Sequence, residues 1–346
     1  MLIAGILLAI VTWGVIISCG GGSSVGGLNN ILVGNTGGTG GTGGSGSANI
    51  TPLAFDDLSN NSTATFIDAN SDFDDTDDGL YLDSGILPFD FSLFGNNFSA
   101  GSDVVFCTNG WLSFDSDIES DDFYSYDPLY DINEVLVGDS YGPYDSFIAP
   151  FWSDLVMDAY SDQGVWYETI GSSPNRKFVV QFYASDYEND DNILVFQVVL
   201  FEGTNDIQFT YAKMEDVNGD DSFQDDGAVD GSGSFIGLLS GDSSIDNARY
   251  SIYSFLFPSI PAISTQAYYI YFKYNSSTNN YDIYTGNVDI TDLNNSYYGA
   301  NVLANRRQNI NKNKVHTNHN FTYFYKNNTP QELMNFINTI KTNKNK

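Results

Sequence analysis

ILVFQVVLFEGTNDIQFTY, residues Ile193–Tyr211, is strand, turn and strand. Leu194 to Phe201 is apolar except for Gln197, rich in Val and Phe, and too short for a typical helix. Glu202-Gly203-Thr204-Asn205-Asp206 supplies turn-forming residues. Ile207, Phe209 and Tyr211 then alternate with Gln208 and Thr210, the period of a strand. The pattern predicts a β hairpin with a short loop. Upstream, Phe178 to Phe182 and Val165 to Tyr167 supply two more strands, with Pro174 and Asn175 at the turn between them. FIAPFWSDL (Phe147–Leu155) precedes them. Strand-turn units in this density, with no amphipathic helix between them, predict an all-β fold, an antiparallel β-sandwich with helix confined to the N-terminal signal and the C-terminal tail.

The flanks extend the pattern. Thr65-Phe66-Ile67 reads as an edge strand. Leu87-Pro88-Phe89-Asp90-Phe91 alternates, and Pro88 suggests an edge position or a strand start. In VVFCTNGWLSF (Val104–Phe114) the Asn109-Gly110 pair predicts a hairpin turn with positive φ at both residues. Asp115 to Asp145 is an acidic, Tyr-rich insertion. Ser234–Leu239 and Ala267–Tyr274 are the closing strands, so the sandwich is expected to occupy residues 51–275.

IAPFWSD, the GVWY strand and the run from Asn192 to Tyr211 resemble the nidogen-like (NIDO) domain and its relatives in bacterial surface proteins. ILPFDFSLFGNNF (Ile86–Phe98), VVFCTNGWLSF and GAVDGSGSFIGLLSG carry the resemblance further, over roughly residues 62–274. It implies an extracellular β-sandwich module of the kind found beside adhesion and matrix domains. It brings no catalytic motif.

Charge divides the chain. Residues 1–275 hold 5 Lys/Arg and 40 Asp/Glu, a net of −35, whereas residues 276–346 hold 8 and 4, a net of +4. So acidic a body repels nucleic acid and anionic lipid. It attracts divalent cations or basic partners, or it simply solvates an exported protein.

Leu2 to Ile17 is an apolar run shorter than the ~20 residues of a membrane span, and it fits the core of an export signal. Ile16-Ile17-Ser18-Cys19 resembles a bacterial lipobox, which implies a diacylated Cys19 as the mature N-terminus. Ile16 stands where Leu is usual, and no Lys or Arg precedes the run; an earlier start would supply one. An uncleaved anchor and a signal peptide in which Cys19 has no role are the alternatives. Gly20, rather than Asp, resembles lipoproteins sent on to an outer membrane. Residues 20–50 form a Gly/Ser/Thr-rich linker with an average reach of roughly 30 Å.

Beyond Asn275 the chain is Asn- and Lys-rich. Asp282–Thr285 and Val288–Ile290 suggest a small added hairpin. Residues 301–320 read as disordered. Thr329-Pro330-Gln331-Glu332 is a capping box, predicting a short helix from Pro330 to about Thr342.

Catalytic chemistry finds little purchase. The two histidines, His316 and His319, lie in the tail, remote in sequence from Cys107, which sits in an apolar strand and reads as a buried thiol. A glycan-active enzyme using paired carboxylates is the third reading of function. Trp111, Trp152 and Trp166 could form a carbohydrate platform, but each falls among apolar strand residues and reads as core.

The sharper site is Ca²⁺. Asp216, Asn218, Asp220 and Ser222 fall at positions 1, 3, 5 and 7 of a loop that continues to Asp225 and Asp226, the opening of an EF-hand-like loop. Asp221 replaces the turn Gly, and Gly227 replaces the bidentate acid. A second candidate is Asp72, Asp74, Asp75, Asp77 and Asp78; for both, a solvated acidic loop is the alternative. The expected function is that of a non-enzymatic, lipid-anchored surface protein. It would bind an extracellular macromolecule and no nucleic acid. The alternative is a structural envelope protein without a discrete ligand.

Overall fold

The structure is a computed structural model and describes residues 49–118, 132, 135–136, 144–187, 193–215, 234–242, 248–255, 266–293, 335 and 338. In chain order its strands are β1 (Phe55–Asp56), β2 (Thr65–Asp68), β3 (Leu80–Asp83), β4 (Phe91–Leu93), β5 (Asn96–Phe98) and β6 (Val104–Cys107). There follow β7 (Trp111–Ser113), β8 (Phe147–Trp152), β9 (Leu155–Val156), β10 (Gly164–Ile170), β11 (Lys177–Asp186) and β12 (Ile193–Phe201). The last are β13 (Ile207–Glu215), β14 (Phe235–Ser240), β15 (Arg249–Phe255), β16 (Gln266–Asn275) and β17 (Asn280–Asp292).

They form a nine-stranded sheet in the order β1-β17-β16-β13-β12-β11-β10-β2, with β9 also paired to β11. A six-stranded sheet runs β15-β14-β8-β7-β6-β3, and β4-β5 is a separate hairpin. Every pairing is antiparallel except that of β1 with β17.

The sandwich core lies between the sheets. Phe178, Val180, Phe182, Leu194, Phe196, Val198 and Leu200 alternate onto the inner face of the larger sheet. They meet Phe106, Leu112, Ile148, Phe151, Ile236 and Leu238 of the smaller one. Phe151 and Phe196 touch across the gap with ring centroids 5.8 Å apart. Tyr211 on β13 donates its phenol to the Pro150 carbonyl of β8 at 2.5 Å, so a polar bond also crosses the interior.

Both outer faces are buried as well. This explains why β8 and β12 read as nearly continuous apolar runs instead of alternating ones. On the smaller sheet, Trp111, Phe147, Trp152 and Phe235 form a second cluster. Ile132, Val135 and Leu136 of the insertion cover it, all three wholly buried. These three residues are helical, which corrects the expectation that helix is confined to the signal and the tail. Their i, i+3, i+4 spacing puts them on one face, a signal legible in DINEVL.

Other differences are local. The Val104–Phe114 hairpin forms, but Cys107 pairs with Trp111 across a three-residue loop, and only Gly110 has positive φ (78°). This is the longer hairpin turn, with one left-handed residue at its end. A Cβ on Gly110 would lie 2.2 Å from the Phe151 carbonyl oxygen, so the neighbouring backbone also requires glycine there. Leu87–Asp90 keeps its buried alternation yet joins no ladder; the strand begins at Phe91. The small hairpin expected after residue 280 is instead one strand, β17, paired to β16 from Asn280 to Asp289. The larger sheet therefore continues past Asn275, where the tail was expected to start. On that pair the Tyr269 ring covers Gly286 opposite it, where a Cβ would fall 2.9 Å from the ring. In the expected terminal helix the described residues, Asn335 and Asn338, are helical.

Candidate functional site

The first candidate region is the outer face of the nine-stranded sheet. Three glutamines lie on three neighbouring strands: Gln181 on β11, Gln197 on β12 and Gln208 on β13. Alternation turns all three outward with Val179, Val195, Val199 and Ala212. Residues 49–58 lie across this face as a strap, with Phe55 and Leu58 buried among those apolar side chains.

Only Phe55 and Asp56 of the strap join a ladder, as β1 beside β17, so its remaining N–H and C=O groups need other partners. A glutamine amide has a carbonyl and an N–H₂, the same kinds of group that a peptide offers. Gln208 uses both on one residue, accepting from Leu53 N–H and donating to Leu53 O, each at 2.8 Å. Gln197 donates to Asp56 O at 2.7 Å. Gln181 accepts from Leu58 N–H at 3.0 Å and donates to Asp57 Oδ1 at 2.8 Å. Gln181 and Gln197 stand opposite each other and are joined at 2.8 Å, which fixes both amide orientations. Lys273 Nζ reaches Asn49 O at 3.1 Å, and Thr291 Oγ1 lies 3.0 Å from both Phe55 O and Asp56 Oδ1. The strap ends in a 3₁₀ turn, Leu58–Asn60, capped by Asp57.

Between strap and sheet remains a cavity of about 180 Å³. Leu53, Ala54, Leu58, Ile170 and Val179 give it apolar walls, and Asp56 and Glu168 contribute carboxylates. Glu168 also accepts from Asn61 Nδ2 and Thr63 Oγ1, which fixes its position.

The second candidate region is the acidic loop, Ser71–Gly79. Its carboxylates mostly face its own backbone and its neighbours. Asp72 Oδ2 accepts Asp68 N–H, Asp74 Oδ1 accepts Leu80 N–H, and Asp75 Oδ1 accepts Asp77 N–H. Asp78 Oδ1 takes Asn109 Nδ2 at 2.7 Å, while Asn109 Oδ1 accepts Leu155 N–H at 2.7 Å. Asn109 therefore ties the loop to β9. Thr108 adds a bond from its hydroxyl to Asp77 O, and Met157 N–H reaches Thr76 O at 2.8 Å.

Asp77 differs from the others. Its Oδ1 is buried with no hydrogen-bond partner. Burial, and then the charges of Asp78, Asp75 and Asp158, push its carboxyl up to about 6. Burial also raises Asp78, against the lowering effect of Asn109. Among the described residues, no three His, Cys, Asp or Glu side chains are gathered as a ready metal site. Asp216, Asn218, Asp220, Ser222, Asp225 and Asp226 lie outside the described residues, as does Cys19. Trp111, Trp152 and Trp166 are all buried, and Phe66 stacks on Trp166 at 4.2 Å.

The strap is the region that sequence reasoning missed. The sandwich is expected to start at residue 51 with no element before Thr65, yet Leu53, Phe55 and Leu58 are apolar, and the Gln inside each of three strands was the available signal. No curated protein and no solved structure matches the chain. The family described as NIDO related matches residues 49–256, that is 208 of 346 positions, beginning at the first residue of the strap. With that match spanning more than half of its length, the chain belongs to the NIDO-related family.

Proposed function

We propose that this chain is an exported, non-enzymatic surface module, held to the cell envelope by lipid on Cys19 and a Gly-rich tether. Its role is to bind an extracellular macromolecule. Membership of the NIDO-related family supports the extracellular setting. The strap is the observation that carries the reading. The Gly-rich segment ends at about Asn49, where the strap begins, and five side chains from β11, β12, β13, β16 and β17 fasten that strap to the sheet. A module pulled by its N-terminus needs such a joint. Cys19→Ala tests the anchor: incorporation of labelled fatty acid and signal cleavage should both be lost. Processing and membrane fractionation identical to the wild type would overturn it.

Calcium in the acidic loop is a second reading, favoured by Asp77. A buried carboxylate oxygen without a donor, beside three other carboxylates, is relieved by a proton or by a cation.

A further inference from the structure

We infer that the cavity beneath the strap is a socket for a lysine side chain, and that the chain's own C-terminal tail, residues 294–346, supplies it.

Size argues first. At about 180 Å³ the cavity is well below the roughly 300–1,000 Å³ of small-molecule sites, a scale that suits one side chain. Its chemistry argues second. Apolar walls at Leu58, Ile170 and Val179 match a four-carbon stem, and the carboxylates of Asp56 and Glu168 match an ammonium head. None of the residues lining the cavity is basic. The one ion pair among the described residues, Arg176–Glu202, involves neither carboxylate.

The source follows from charge and from where the chain runs. Residues 1–293 hold 5 Lys/Arg and 43 Asp/Glu, whereas residues 294–346 hold 8 and a single acid, Glu332. A net of +7 thus follows a net of −38 in the same chain. The tail also starts at the socket. Thr291 lines the cavity, and Leu293, two residues on, packs against the same outer-face cluster. Lys312 and Lys314 follow some twenty residues later, so returning one of them closes only a short loop. A segment tethered in this way acts at an effective concentration of roughly millimolar, enough for a single side chain to dock without a large interface.

The test uses the full chain and a water-soluble carbodiimide, which joins a carboxylate to an amine in contact with it. Linked peptides are then identified by mass spectrometry. In low salt the monomer should carry links from Glu168 or Asp56 to a tail lysine. They should be at least five-fold more abundant than links to the exposed carboxylates Asp72, Asp90 and Asp289. In 1 M NaCl, where charges are screened beyond about 3 Å, they should fall at least five-fold. Glu168→Gln with Asp56→Asn should abolish them without redistributing tail links to those three carboxylates. If the double variant fails to fold, the salt comparison on the wild type decides alone. Links spread evenly over the acidic surface, or none at Glu168 and Asp56, would overturn the inference. So would links found only between two chains, since a second copy would then be the source.

Discussion

On the six-stranded sheet the outer face is covered by side chains: Ile132, Val135 and Leu136 lie over Trp111, Phe147, Trp152 and Phe235. On the nine-stranded sheet the strap adds to the apolar cover of Phe55 and Leu58 a set of main-chain groups served by three glutamine amides. The first cover rests on apolar area and shape, which change gradually as contacts are lost. The second rests on matched donors and acceptors, where removing one partner leaves a buried group unsatisfied. One sandwich thus protects two similar faces by two kinds of chemistry, and the two should fail differently.

The largest effect is expected on the apolar side. Trp152 is wholly buried between Phe147, at 4.8 Å, and Phe235, at 6.0 Å. Trp152→Ala should lower stability by about 3–5 kcal/mol in urea unfolding. A loss below about 1 kcal/mol would mean that this face is not packed as described. On the amide side, Gln181→Leu keeps the volume but leaves Leu58 N–H without its acceptor. It should cost about 2 kcal/mol. Hydrogen exchange is the sharper reading, because the Leu58 amide should lose protection while the β11–β12 ladder keeps it. Equal loss in both would show that strap and sheet open as one unit.

The smallest effect concerns neither cover but the acidic loop. Asp77 titrates near 6 in the folded protein against an ordinary 3.8, so the folded state binds the extra proton between those values. Its stabilising contribution is present below about pH 4 and is lost as pH rises through about 6. Asp77→Asn should therefore flatten this part of the pH profile. It should raise stability at pH 7 by about 1 kcal/mol, after discounting for a side chain that is only half-buried. If Ca²⁺ is what relieves this carboxylate, the wild type should melt higher in millimolar Ca²⁺ than in EDTA, and the variant should lose that difference. Equal melting of the wild type in both would remove the loop as a calcium site.

Much of the architecture was legible because strand period and turn residues are local. Leu194–Phe201, the turn after it and the Ile207–Tyr211 alternation needed no distant partner to be read. The β17 strand was less legible. Gly286, Asn287 and Asp289 are weak strand formers, and β16 carries them by pairing along Gln266–Asn275. The strap was hidden for a different reason. Its bonds join residues more than a hundred positions apart, as Leu53 with Gln208, and no local pattern shows such a pairing. The strand glutamines marked it, Gln197 most plainly, a polar group where a fully buried strand had no evident use for one. The candidate sites divide in the same way. A run such as Asp72–Asp78 announces carboxylates, but only the fold shows which of them accept from the backbone and that Asp77 keeps a buried oxygen without a donor.

The order of the strap's attachments has a mechanical consequence. From Asn49 inward the side-chain attachments are Lys273, Gln208, Thr291, Gln197 and Gln181, with the β1–β17 pairing at Phe55 and Asp56 among them. A pull on Asn49 directed away from the sheet meets them one at a time, so the joint peels instead of shearing. Residues 49–58 pay out at most about 3.3–3.6 Å each, lengthening the leash by up to roughly 35 Å. Only then does load reach β2 and the sandwich behind it. Under such a pull the glutamines, with the two-residue β1–β17 pairing, would act as a graded brake, each bond giving way at modest force and re-forming when the pull stops, while the antiparallel ladders of the sheet stay slack.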